Sequence, residues 1–217
     1  MDTYKMILWD LDGTLTDSKE GIIKSVQYAL GKMGVTQPSM DELVNFIGPP
    51  LQDSFEREFH FTPQQCAQAV SFYREYFSVT GIYENRVYPG IPELLQDLVR
   101  AGKILVLATS KPTPYSVQIL AHFHLDHFFS QIVGSNLDGS RSKKAEVIAY
   151  AMQQYPRLNP LSCVMIGDRK EDVAGAHSNG VDSIAVSYGY GSSEELEVAH
   201  PTFLANSVPD IRKILIA

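Results

Sequence analysis

Met6-Ile7-Leu8-Trp9-Asp10-Leu11-Asp12-Gly13-Thr14-Leu15 joins a short apolar run to two carboxylates, a glycine and a hydroxyl. A run of Ile, Leu and Trp bounded by polar and Gly signals reads as a parallel strand buried on both faces. Such strands deliver functional groups at their carboxyl ends, where open α/β sheets bind ligands. Side chains alternate along an extended chain, so Asp10 and Asp12 are expected on one side and Leu11 on the other. Gly13 lets the backbone turn sharply and approach a ligand closely. Two carboxylates so near an apolar strand repel each other unless a cation or a proton sits between them, which points to a metal. An Asp-x-Asp-Gly turn also opens calcium loops. Here the twelfth loop position is Gly21 rather than Glu, and an apolar strand precedes the turn where a calcium loop has a helix.

Outward from this stretch, residues 16–82 read as helix after helix. Ser18 caps a helix to Met33 with Gly34 as its stop, and Ser39-Met40-Asp41-Glu42 has the spacing of a capping box. Pro49 and Pro50 break the chain before a helix to Phe59, and Thr62 opens another to about Thr80. From Tyr88 the pattern alternates. Strands at 104–109, 132–134, 163–166 and 183–186 are separated by helices at 91–101, 114–122, 144–155 and 171–179, with further helices near 193–198 and 209–215. Such alternation predicts an α/β fold, a doubly wound parallel sheet with helices on both faces. The helical block falls between the first and second strands, where a lid would be inserted.

Several strands end in polar groups. Asp10, Asp12, Gly13 and Thr14 follow the first, Thr109, Ser110 and Lys111 the second, and Asp168 ends a later one with Asp172 one helical turn on. Lys143 and Lys144 open the helix before that last strand. Parallel strands align their carboxyl ends, so these separated residues are expected to converge on one crevice. Three Asp suit the hard oxygen coordination of Mg²⁺, and a lysine with a hydroxyl suits the remaining charge of a phosphoryl group. Taken singly, Thr109 reads as an ordinary strand-end hydroxyl and either lysine as a solvated helix residue. His122, His124 and His127 read as surface or packing residues rather than zinc ligands. The Tyr188-Gly189-Tyr190-Gly191 run reads either as a border of the site or as a Gly-rich turn.

Length suits one sizeable core with room for a small accessory domain. A net charge of −7 offers no basic footprint for a nucleic-acid polymer or an anionic membrane, so any phosphate must be met locally. Cys66 and Cys163 lack metal-like spacing and fit a reducing compartment. With no signal-peptide pattern and no apolar stretch of spanning length, the expectation is a cytoplasmic protein, monomer or homodimer.

Together, Asp10-x-Asp12-Gly13-Thr14, Thr109 after an apolar strand, a downstream lysine and Gly167-Asp168-x-x-x-Asp172 resemble the four motifs of the haloacid dehalogenase-like hydrolase superfamily. Asp17-Ser18, Phe46-Ile47-Gly48-Pro49-Pro50 and Gly167-Asp168-Arg169-Lys170 are most similar to its phosphoglycolate phosphatase-like and 5′-nucleotidase-like branch. The resemblance implies a core of residues 1–15 and 83–217 with a four-helix cap at 16–82. It further implies a Mg²⁺-dependent phosphomonoesterase for a small phosphorylated metabolite: phosphoglycolate, a nucleoside 5′-monophosphate or a sugar phosphate. Asp10 is then the nucleophile and Asp12 the general acid and base. Mg²⁺ is held by Asp10, Asp12 (through its backbone carbonyl) and Asp168, with Asp172 in support. Gly13, Thr109, Ser110 and Lys144 bind phosphate, Lys144 being preferred to Lys143 without excluding it. Phe46, Gly48 and Pro49 are cap positions that could shape the substrate pocket, although core packing is the default for Phe46. Asp12 argues against a dehalogenase, which lacks a carboxylate there. A β-phosphoglucomutase-like mutase and a non-catalytic binding protein on the same fold are the alternatives.

Overall fold

The computed structural model describes residues 4–36 and 38–216, so the extreme ends of the expected core and Gln37 of the expected cap lie outside it. Strands β1 (Met6–Trp9) and β2 (Thr16–Asp17) precede helices α1 (Lys19–Lys32), α2 (Leu51–Phe59) and α3 (Pro63–Phe77). After β3 (Arg86–Val87) come α4 (Ile91–Arg100), β4 (Ile104–Pro112), α5 (Thr113–His122), β5 (Gln131–Ser135) and α6 (Lys144–Gln153). The chain ends with β6 (Cys163–Gly167), α7 (Lys170–Ser178), β7 (Asp182–Val186), α8 (Ser193–Val198), β8 (Phe203–Ala205) and α9 (Val208–Leu215). It divides into two compact units, Asp17–Arg86 and the rest.

The larger unit is built on a six-stranded sheet in the order β5-β4-β1-β6-β7-β8, with β1 paired in parallel to both β4 and β6. The chain winds outward from β1 in one direction and then, from β6, in the other. The strand order therefore reverses at the carboxyl end of β1, where open α/β sheets bind ligands. Both faces of β1 are covered, which is why Met6, Ile7, Leu8 and Trp9 are all fully buried. On one face Met6 and Leu8 pack with Val106, Met165, Val147 and Ile148. Sequence patterning did not show β8, an edge strand too short for its alternation to register.

The smaller unit is helical, with the 3₁₀ segment Asp41–Phe46 where a second α-helix was expected. The capping box there is half formed. Ser39 donates from both its N–H and its hydroxyl to Glu42, but its hydroxyl does not cap the helix. Gly48-Pro49-Pro50 truncates the segment before a second turn could repay nucleation. By contrast, Thr62 and Gln65 form a complete capping box on α3. Phe46 is buried edge-on to Phe55, 5.0 Å between ring centroids, within the aromatic core of this unit. That placement is the core packing that was the default reading for Phe46. Gly48 and Pro49 are half-exposed on the same turn.

Both cysteines are free and buried. Burial pushes the Cys163 thiol up to about 11 and raises that of Cys66 as well. Thiolate, not thiol, is the reactive form. Neither residue is therefore expected to react with a disulfide reagent at about pH 8 in the native protein, and both are expected to react after unfolding. Rapid native labelling, followed colorimetrically, would contradict this.

Candidate active site

Beyond Trp9 the first strand continues for one more bond, Asp10 N–H to the Ile166 carbonyl at 2.9 Å. The chain then folds onto itself: the Leu11 carbonyl accepts from the N–H groups of Thr14, Leu15 and Thr16. Gly13 adopts φ +80°, and a Cβ there would overlap the Asp168 carboxylate, so only glycine permits both the turn and the approach. This turn sends the two carboxylates of the opening motif to different partners.

Asp10 meets Lys144, whose Nζ donates to Asp10 Oδ1 at 2.7 Å and to the Ala108 carbonyl at 3.0 Å. The same ammonium lies 2.8 Å from Asp172 Oδ1. Asp12 instead pairs with Lys111, Nζ to Oδ2 at 2.8 Å. Lys143 is the exposed N-cap of α6, while Lys144 is buried as its first residue, which separates the two lysines. Thr109 is buried at the end of β4, its hydroxyl accepting from the Lys111 N–H at 3.3 Å. Ser110 is half-buried beside it, and its carbonyl accepts from the Ser135 hydroxyl.

Asp10, Asp168 and Asp172 each offer a carboxylate oxygen within 4.8 Å of the others, all three buried. Asp12 was expected to reach the metal through its backbone carbonyl, which leaves its side chain free to turn to Lys111; the third carboxylate of the cluster is Asp172. Asp168 is fully buried; it accepts from the Tyr190 N–H at 2.7 Å and the Thr14 hydroxyl at 3.4 Å. Burial pushes its carboxyl well above the usual carboxylate range, and the Asp172 and Asp10 charges push the same way. Asp172 is raised by burial too, against the pull of Lys144, while its Oδ2 accepts from the Arg169 N–H. Burial works against the Lys144 ammonium, but Asp10 and Asp172 hold it above its ordinary value. With all three ionised, three carboxylates against one ammonium leave two negative charges uncompensated, an excess that burial penalises by pushing Asp168 and Asp172 upward. A divalent cation on oxygen ligands fits that excess, and the donor set is the hard one that Mg²⁺ or Ca²⁺ prefers.

A family model described as haloacid dehalogenase-like hydrolase matches residues 7–186. The chain belongs to the haloacid dehalogenase-like hydrolase family. It is 47% identical to a 5′-nucleotidase of Pseudomonas aeruginosa, over 98% of this chain and 96% of that one. It is 36% identical to the tyrosine-protein kinase PtkA of Mycobacterium tuberculosis, over 99% of this chain and 73% of the relative. Among solved structures, a predicted phosphatase from Clostridium acetobutylicum superposes with a TM-score of 0.96 at 47% identity, covering 99% of each chain.

In this member of the family a loop after β7 closes one side of the site. Tyr188 donates to the Thr14 carbonyl at 2.9 Å and stacks edge-on with Tyr88. Gly189 passes so close that a Cβ would overlap Asp168. Of the two readings of the Tyr188–Gly191 run, the border of the site is the one the structure shows. His122, His124 and His127 are exposed and belong to no metal-like cluster among the described residues. No helix of the described chain is long and apolar enough to cross a membrane.

The loop is anchored behind the site. Arg169 Nε donates to Glu195 Oε1 at 2.9 Å, and the Lys170 N–H donates to the same oxygen at 3.0 Å. Burial opposes it, but Arg169 and that N–H hold the Glu195 carboxyl below its ordinary value. A depressed native value makes the stabilisation complete above the unfolded value, about 4.3, and removes it as pH falls through the native one. Thermal melts below about pH 4 are therefore expected to fall more steeply for wild type than for Glu195→Gln, and parallel curves would remove the pair from the acid limb.

Proposed function

We propose that this hydrolase is a Mg²⁺-dependent phosphomonoesterase acting on a small phosphorylated metabolite. The observation that carries the reading is the buried Asp10, Asp168 and Asp172 cluster facing one lysine at the reversal point of the sheet. Asp10 attacks phosphorus and takes the phosphoryl group as an aspartyl-phosphate while the bond to the leaving oxygen breaks. Asp12 gives that oxygen a proton, then takes one from the water that releases phosphate and regenerates Asp10. Lys144 and Thr109, with Ser110 and the Gly13 turn, hold the phosphoryl oxygens, and Asp172 keeps Lys144 aimed. Asp10, Asp168 and the Asp12 carbonyl would hold Mg²⁺, which when bound offsets the repulsion between nucleophile and phosphate. The helical unit, Asp17–Arg86, is assigned as a cap that excludes bulk water and selects the leaving group.

The resemblance to a 5′-nucleotidase supports trying nucleoside 5′-monophosphates first, ahead of phosphoglycolate and sugar phosphates. Phosphate release from such a panel is expected to require Mg²⁺ and to stop on addition of EDTA. Release that continues in EDTA would overturn the metal requirement, and conversion of a sugar phosphate to its isomer without release would replace hydrolysis by a mutase reaction.

A further inference from the structure

We propose that Lys111 is a positioning residue for the acid–base carboxylate Asp12, a role that rests on the phosphomonoesterase reading above. The Lys111 and Asp12 side chains are 6% and 9% exposed and meet at 2.8 Å through Nζ and Oδ2. The other oxygen, Asp12 Oδ1, is buried and has no hydrogen-bond partner among the described residues. One oxygen is thus tied and the other left open. An untethered carboxylate rotates and presents either oxygen, whereas this one is held with a single oxygen available for the proton. Lys111 is itself fixed: its N–H donates to the Thr109 hydroxyl, so the residue that would touch phosphate and the residue that aims the acid share one strand end. A buried ion pair gains little stability for its desolvation, which leaves orientation as the return on burying this one.

The role has a signature that phosphate binding lacks. When the P–O bond of an alkyl phosphate breaks, the leaving oxygen takes the Asp12 proton and departs as an alcohol. p-Nitrophenolate departs without one. General acid–base assistance contributes about 10²–10⁴-fold where a proton is needed. Lys111→Met is therefore expected to lower kcat/KM, which reports the step that expels the leaving group and not the later hydrolysis common to both esters, by roughly 10²-fold or more on the best alkyl phosphomonoester and by no more than about tenfold on p-nitrophenyl phosphate. Lys111→Arg keeps the charge and is expected to recover part of the alkyl rate. If Lys111→Met does not fold, Lys111→Arg carries the same comparison of leaving groups. Equal losses on both esters with a raised KM would make Lys111 a phosphate ligand, and no loss on either would leave it without a role; both overturn the assignment. Asp10→Asn run alongside reports separately on the phosphatase reading: wild-type release that persists in that variant would show that the reading, not the role of Lys111, has failed.

Discussion

Asp10→Asn is expected to abolish phosphate release, by about 10⁴-fold or more, while leaving the protein at least as stable as wild type. The activity loss follows from the chemistry assigned to Asp10: an amide oxygen does not form the acyl phosphate that a carboxylate forms. The stability outcome follows from the geometry. Asn has the shape of Asp, so its Oδ1 can still accept from Lys144 Nζ, which donates to that atom at 2.7 Å. What disappears is one of three negative charges within 4.8 Å. Burial and its two carboxylate neighbours already push Asp168 upward, so removing one neighbour relieves it. Activity and melting temperature are expected to move apart, which a merely misfolded variant cannot do. A melting temperature several degrees below wild type would show that Asp10 is a structural partner of Lys144 first and a nucleophile second.

Lys144→Met acts in the opposite sense on stability and in the same sense on activity. It strips the ammonium that pairs with both Asp10 and Asp172, leaving three buried carboxylates crowded together. Breaking a buried pair by removing one member costs about 3–5 kcal/mol. For a chain of this size that lowers the melting temperature by roughly 10 °C. Arginine is a poor substitute, because α7 presses on the lysine stem: a Cβ at Gly175 would lie 2.9 Å from Lys144 Cγ. The double variant Lys144→Met/Asp172→Asn removes one charge of each sign and is expected to regain much of the stability but none of the activity. If the double variant is as unstable as the sum of its parts, the electrostatic account of this cluster is wrong.

Much of this was readable from residue order. β1, β4, β6 and β7 announce themselves because strands covered on both faces must be apolar throughout. Asp10, Asp168 and Asp172 follow at their ends. The choice between Lys143 and Lys144 stayed open in the sequence, although Lys144 shares one helical face with Val147, Ile148 and Ala151, and all four are buried. Lys111 was read among the strand-end groups, but its pairing with Asp12 was not, because β4 was read as ending at Thr109, whereas it runs to Pro112. Extended alternation then puts Lys111 on the same side as Thr109. The divergence of Asp10 and Asp12 was not readable, because it depends on the three hydrogen bonds that the Leu11 carbonyl gathers in the turn. The 3₁₀ segment at Asp41–Phe46 also escaped, because capping signals mark where a helix starts and say nothing of whether it has room to continue.

The order of the sheet bears on how the protein comes to be made. β1 is synthesised well before either of its neighbours, for Met6 pairs with Ile104 on one side and with Cys163 on the other. Ile7, Leu8 and Trp9 therefore wait, uncovered, while the entire helical unit and then most of the α/β unit are synthesised. The helical unit packs α1 against α3 within itself, and its compaction shortens the span that must close before β1 finds β4. The segment that leads to Asp10 is thus made long before it is sheltered, and it is a stretch for which a nascent chain of this protein needs a chaperone.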